Sequence, residues 1–181
     1  KRGRNIMLKN LLRSRPAALD GDALYALAVT QARRPDFYTR LGVDDRIDAR
    51  FELYTLHVLL LVLRLRDDGD RGGEAAQVLF DTYVSALDNS LRELGVGDVS
   101  VGKKMRKLGE SLYGRMTAYE APLRAGDEDA LAASLARNVY SHDDGAAAAP
   151  LARYVIASRA ALAGQEFNAV VRQPEWAEIS A

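Results

Sequence analysis

With 181 residues, 48% of them hydrophobic and 28% charged, the chain fits one well-filled soluble domain and is short for two of ordinary size. Its formal net charge of zero gives no global field for nucleic acid, so no DNA partner is expected. The absence of cysteine excludes disulfides, thiolate nucleophiles, iron–sulfur ligation and cysteine-based zinc sites.

The opening stretch, Lys1 to Arg15, carries Lys1, Arg2, Arg4, Lys9, Arg13 and Arg15 without one acid, and sets Leu8, Leu11 and Leu12 among them at helical spacing. Residues 1–16 read either as a basic amphipathic arm for an anionic surface or as a frayed, disordered terminus. Met7 is a candidate natural start, and no apolar run in the first fifteen residues is long enough for the hydrophobic region of a secretory signal. Residues 17–164 are expected to form the helical domain, and 165–181 a tail or weak helix.

Asp20 or Asp22 can cap a helix running to about Arg33, with Leu24, Leu27, Ala28 and Gln31 on one side. Pro35 breaks it. Pro35-Asp36-Phe37-Tyr38 restarts a short helix that ends at Gly42, a residue suited to a left-handed C-terminal position. The next helix, about Asp45 to Arg66, is apolar almost all round in its middle and predicts a buried centre of the fold. Its longest apolar run, Leu56 to Leu63, is interrupted by His57 and falls short of the about 20 residues that a membrane span requires.

Asp67 to Gly73 reads as a charged, glycine-rich turn, and Glu74 to Leu94 as a helix with Phe80, Tyr83, Val84, Leu87, Leu91 and Leu94 at intervals of three and four. Gly95-Val96-Gly97 stops it, and Asp98 or Ser100 caps the following helix. That helix aligns Val101, Met105, Leu108, Leu112, Met116 and Tyr119 on one face, which is predicted to meet the core. Pro122 and Gly126 should close it. Asp127 opens a shorter helix through Leu131, Leu135 and Val139, and a last one spans about Ala147 to Ala163. No alternating segment reads as a strand and no fixed-period repeat occurs. The fold class is all-α, a compact multi-helix bundle with short loops.

Catalytic constellations are missing. Gly97 to Lys104 nearly matches the phosphate-loop pattern GxxxxGK[ST], but Lys104 stands where a hydroxyl must bind magnesium, and the loop follows a helix instead of a strand. The paired acids Asp44/Asp45, Asp67/Asp68 and Asp143/Asp144 sit at expected caps and turns. His57 and His142 are the only histidines, and no companion ligands for a metal accompany either. No cofactor or metal is implied.

Candidate partner contacts are of two kinds. On the central helix Arg46, Arg50, Leu53, His57, Leu60 and Arg64 share one stripe, either a polar seam facing a partner or a solvated edge with His57 hydrogen-bonded inside. Near the start of the later helix, Lys103, Arg106 and Lys107 project opposite the apolar stripe and Lys104 lies at its shoulder. Positive charge beside a helix N-terminus is unfavourable by about 0.3–1 kcal/mol per charge, which suggests an anionic partner; a solvated basic face is the competing reading. Gly102, Gly109 and Gly114 read as a small-residue flank beside Tyr113 and Met116, at roughly 1 kcal/mol each relative to alanine. Close approach of another helix, internal before external, would account for them.

These residues resemble the ubiquinol–cytochrome c chaperone family. Pro35, Phe37-Tyr38, Leu41-Gly42-Val43, Arg50-Phe51 and His57 carry its N-terminal pattern. Gln77, Leu79-Phe80-Asp81, Asp88 and Leu91-Arg92-Glu93 followed by Gly95-Val96-Gly97-Asp98 carry its middle. Val101-Gly102-Lys103, Met105, Tyr113-Gly114-Arg115 and Tyr119 complete it, so that the resemblance covers about Leu24 to Tyr140. It implies a non-catalytic assembly chaperone that binds newly made cytochrome b during biogenesis of the ubiquinol–cytochrome c reductase complex. It further implies contact with the ribosome and with a small helical partner subunit or a second copy, and transient contact with a membrane surface. The location implied is the bacterial cytoplasm, or the matrix side in a mitochondrion, peripheral to the inner membrane. The competing readings are a helical quinone- or lipid-binding protein, cued by the apolar breadth of Leu53 to Leu63, and an enzyme of unrecognised type.

Overall fold

A computed structural model describes residues 19–181 apart from 94 and 96; the side chains of residues 98, 99, 101 and 104 also lie outside the description. The basic arm anticipated over residues 1–16 therefore falls outside the described residues. Those that are described fold as helices without strands, an all-α architecture.

Helix α1 (Gly21–Ala32) begins at Asp20, whose carboxylate accepts from the Ala23 amide at 3.0 Å. Its inward face is Leu24, Ala28 and Ala32, all fully buried. After Pro35 the single-turn α2 (Asp36–Thr39) sets Phe37 in the core, and Gly42 takes the left-handed φ of 66°. Central helix α3 (Ile47–Arg66) follows and is buried on nearly every side from Leu53 to Leu65, as its apolar middle predicts.

Helix α4 (Gly69–Glu93) starts five residues earlier than the sequence suggests. Only Asp67 and Asp68 separate it from α3, and Gly72 makes that possible. A β-carbon there would lie 1.8 Å from the Leu65 carbonyl oxygen, closer than any side chain can tolerate. What reads as a glycine-rich turn is thus the first turn of a helix pressed against its predecessor.

Helix α5 (Asp98–Ala125) takes Gly97, not Asp98 or Ser100, as its N-cap. Pro122 is held inside the helix, and Gly126 at φ 66° ends it. A proline near the end of a helix removes only one ladder bond, and the buried Tyr119 and Leu123 on either side of it hold the last turn to the core. Helix α6 (Glu128–Leu135) is capped by Asp127 and runs into a π-helical turn, Ala136–Tyr140. Helix α7 (Gly145–Ala163) is capped by Asp144, whose carboxylate accepts from the amides of Ala146 and Ala147. A one-turn α8 (Phe167–Val170) leads into an irregular stretch that returns to the core through Ile179, 1% exposed.

The helices pair as antiparallel neighbours: α3 with α4, and α6 with α7. Helix α1 lies across α3 and α4, while α5 packs on α6 and reaches α3 and α4. Helix α3 touches α1, α4, α5, the π turn and α7. It is the axis of the bundle.

Candidate partner-binding surface

The central helix separates the residues of the proposed seam. Arg46 and Arg50 stay at the surface near its start, ion-paired with Asp44 at 3.5 Å and Asp45 at 2.6 Å. His57, three turns on, is fully buried. A carbonyl can only accept, so the His57 Nδ1–H donates to the Leu53 oxygen at 2.7 Å. Its Nε2 then accepts from the Tyr154 hydroxyl at 2.9 Å, and the Tyr154 oxygen accepts from the Gln31 amide at 3.0 Å. Phe37, Tyr154 and Trp176 surround the ring with centroid separations of 5.3, 5.8 and 5.1 Å. Burial holds the imidazole pKa down to about 4, against a partly opposing bond to the Leu53 carbonyl. His57 is a neutral interior hydrogen-bonding residue. As a partner contact it is corrected: its ring has no surface to offer.

Arg64, at the end of the same stripe, is likewise turned inward. Its guanidinium donates to the carbonyls of Leu162 at 2.8 Å and Gln165 at 2.7 Å and pairs with Asp68. A cation on the last carbonyls of a helix complements both their lone pairs and the helix dipole. The tail is secured in turn: Gln165 bonds both backbone groups of Glu175, and Arg40 donates to the Ile179 carbonyl at 3.3 Å.

The buried acid of α3, Glu52, receives two donors of Arg115 from α5, one at 2.6 Å. Burial raises the Glu52 carboxyl above its ordinary value, and the Arg115 hydrogen bonds pull it only partly back. This planar two-bond pair fastens the middle of α5 to the central helix. Nothing in the local spacing signals it, since the two residues lie 63 positions apart.

Around and beyond that clamp the apolar stripe of α5 reaches the core at Leu112, Tyr119 and Leu123, which are 2%, 1% and 6% exposed. Met116, among them, is only partly covered, and so are Met105 and Leu108 toward the start of the helix; Val101 lies outside the described side chains. The expected burial of the whole stripe holds only at Leu112, Tyr119 and Leu123; none of its described positions before Leu112 is buried.

Between α4 and α5 lies an open groove of about 530 Å³. Val62 and Ala76 line it, with Phe80, Leu112, Tyr113 and Met116 along the walls. Tyr113 is 69% exposed, unusual for so large an aromatic. Gly73 and Gly109 also line the groove, and a β-carbon at either would meet nothing within 4 Å. The same holds at Gly102 and Gly114. The expectation of an internal helix against these glycines is therefore corrected: among the described residues no neighbour approaches them. At 100° per residue Gly102, Arg106, Gly109, Tyr113 and Met116 share about 80° of arc on the groove side, while Gly114 is turned about 140° away from Gly109.

Lys103, Arg106 and Lys107 are exposed on α5, and the Lys104 side chain is among those not described. Arg106 stands at the groove rim; Lys103 and Lys107 lie further round the helix. The paired acids have local partners: Asp44 and Asp45 as above, Asp67 with Arg124 and Arg159, Asp68 with Arg64, and Asp144 at a helix cap. Among the described residues no three His, Cys, Asp or Glu side chains gather to hold a metal, and no helix is long and apolar enough to cross a membrane. The leucines that suggested a quinone or lipid site, Leu53 to Leu63, are consumed in the core.

A family model described as "Ubiquinol-cytochrome C chaperone" matches residues 39–176. The chain belongs to that family. The crystal structure of the Cbp3 homolog from Brucella abortus is similar at 34% identity and a TM-score of 0.79, covering 88% of this chain and 89% of that one. The chain is also 22% identical over 118 residues to ubiquinol-cytochrome-c reductase complex assembly factor 1 of Xenopus laevis, covering 65% of this chain and 58% of that protein. For the factor of the same name from Mus musculus the identity is again 22% over 118 residues, covering 65% and 40%. The chain thus spans well under two thirds of the length of these curated relatives. The family match passes the end of the sequence resemblance near Tyr140 and continues to Trp176. In this chain Tyr154 and Trp176 from that later segment complete the enclosure of His57.

Proposed function

We propose that the protein is a non-catalytic assembly chaperone for ubiquinol–cytochrome c reductase, and that it receives an apolar helix of newly made cytochrome b in the groove between α4 and α5. The single observation that carries this is the open apolar groove lined by helix-interior glycines that no described residue covers. Each glycine costs the isolated helix roughly 1 kcal/mol relative to alanine, and close approach of an external helix supplies the compensating contact. A groove that accepts a helix along its length is an established mode of recognition. Arg106 at the groove rim and Lys103 and Lys107 further round the helix, with Lys104 beside them in sequence, provide steering toward anionic surroundings such as ribosomal RNA or lipid headgroups. Arg46 and Arg50 form a second, separate basic site. The work takes place in the bacterial cytoplasm or on the matrix side, at the periphery of the inner membrane, alongside a small helical subunit or a second copy.

Gly109→Phe fills the groove from a position where the β-carbon has free space. It is expected to leave stability unchanged or raised by up to about 1 kcal/mol, and to reduce recovery of cytochrome b with the tagged protein by at least about tenfold. Unreduced recovery with a folded variant would remove the groove from the proposal. Reversing the basic face, Lys103→Glu with Arg106→Glu and Lys107→Glu, should weaken ribosome or client capture and make the residual binding less salt-dependent. Each change should shift stability by no more than about 0.5 kcal/mol. Capture that matches the unmodified protein at low and high salt would exclude this face.

A further inference from the structure

Helix α4 has a second open groove on its other side, about 570 Å³, and its chemistry is the opposite of the first. Asp22, Asp81, Thr82, Ser85 and Asn89 line it together with the apolar Tyr25, Val78 and Ala86, and no basic residue is among the lining groups. Asp22 and Asp81 are exposed, and Val78 is 40% exposed. The described chain enters here. Leu19 packs on the core, and Gly21 sits so close to α4 that a β-carbon would lie 2.5 Å from the Thr82 hydroxyl and 2.9 Å from a Val78 methyl. The described chain therefore begins, at Leu19, two residues before this contact. In the sequence, residues 1–18 carry Lys1, Arg2, Arg4, Lys9, Arg13 and Arg15, no acid, and the leucines 8, 11 and 12.

We propose that this N-terminal segment is the occupant of the acidic groove: its basic side chains meet Asp22 and Asp81 while a leucine covers Val78 and Ala86. Opposite charge favours this groove over the apolar one on the far side of α4, whose lining contains Arg66. Tethering raises the local concentration of the segment to about the millimolar range, so even weak ion pairs suffice to hold it. Exposed pairs are screened by salt, so the contact is a releasable latch: an external anionic surface competes for the same cations. The segment is then held to the fold until such a surface is met.

The natural absence of cysteine makes the test direct. In the full chain, Ser14→Cys is paired with Ser85→Cys in the acidic groove or with Tyr113→Cys in the apolar one, and intramolecular disulfide formation is timed at low salt. The expected result is crosslinking to residue 85 at least about tenfold faster than to 113. Half-molar salt, or Asp22→Asn with Asp81→Asn in the same background, should bring the two rates together. Circular dichroism confirms that each variant is folded. Equal rates to both grooves, a preference unaffected by salt and by loss of the acids, or crosslinks formed only between molecules would each overturn the proposal.

Discussion

Replacing Arg115 with methionine is expected to destabilise the protein by about 3 kcal/mol at neutral pH, a loss of roughly 6–12 °C in melting temperature. The substitution keeps most of the aliphatic packing but leaves the Glu52 carboxylate 6% exposed and without its two donors. Removing one member of a buried pair costs far more than the pair contributes, because the desolvated charge that remains has no compensation. Two further results follow from that argument. Glu52 escapes by binding a proton, so the deficit of Arg115→Met should shrink as pH falls. The double variant Glu52→Leu with Arg115→Leu should lie within about 1.5 kcal/mol of the unmodified protein, giving strong coupling in a double-mutant cycle. Urea unfolding at pH 7 and 5 measures all of this, and additive single and double effects would show that the pair is not the clamp described here. Because no described position of the α5 stripe before Leu112 is buried, loss of the clamp should also loosen that first part of the helix, visible as faster amide exchange from Lys103 to Glu110.

Acid should act through His57. With a folded pKa of about 4 against an ordinary 6.5, the folded state refuses a proton that the unfolded chain accepts. Above pH 6.5 both states are neutral and the contribution to stability is complete. As pH falls from 6.5 toward 4 the unfolded state gains the proton alone, and stability declines. Below about 4 the folded state also protonates and the loss levels off, at about 3 kcal/mol in total. The groups against the ring, Phe37, Tyr154, Trp176 and the Leu53 carbonyl, bring no carboxylate to stabilise an imidazolium. His57→Gln should be less stable at pH 7.5 by roughly 1–3 kcal/mol, through poorer satisfaction of Tyr154 and lost packing. Its deficit should nevertheless narrow by about 3 kcal/mol as pH falls to 4. Parallel stability curves for the two proteins would mean that the histidine titrates in the fold as it does in the open chain.

The two results concern residues that the sequence placed differently. His57 is conspicuous in the sequence as one polar position in a run of leucines, and its position invited both an outward and an inward reading. Only the arrival of Tyr154 and Trp176, about a hundred residues later, decides for the interior. Arg115 is conspicuous as part of Tyr113-Gly114-Arg115, yet the sequence gives only Tyr113 and Gly114 a direction, on one shared flank, and none to Arg115. In the fold they divide: Arg115 turns in to Glu52, Gly114 has open space, and Tyr113 stands out at the groove.

The helices were legible because periodicity, caps and breakers are local. Asp20, Asp127 and Asp144 cap where short-range rules put them, and Gly42 and Gly126 adopt the left-handed φ that only a residue without a β-carbon adopts freely. The buried centre was legible too, since a helix apolar on every side can satisfy itself only by being surrounded. What needed the tertiary structure was everything set by the distance between helices. The five-residue error at the start of α4 arose because Gly72 answers to the carbonyl of Leu65 and not to its own neighbours in sequence. The half-buried stripe of α5 arose because an apolar period records which face is greasy, while how far the packing partner extends along it depends on where other helices end.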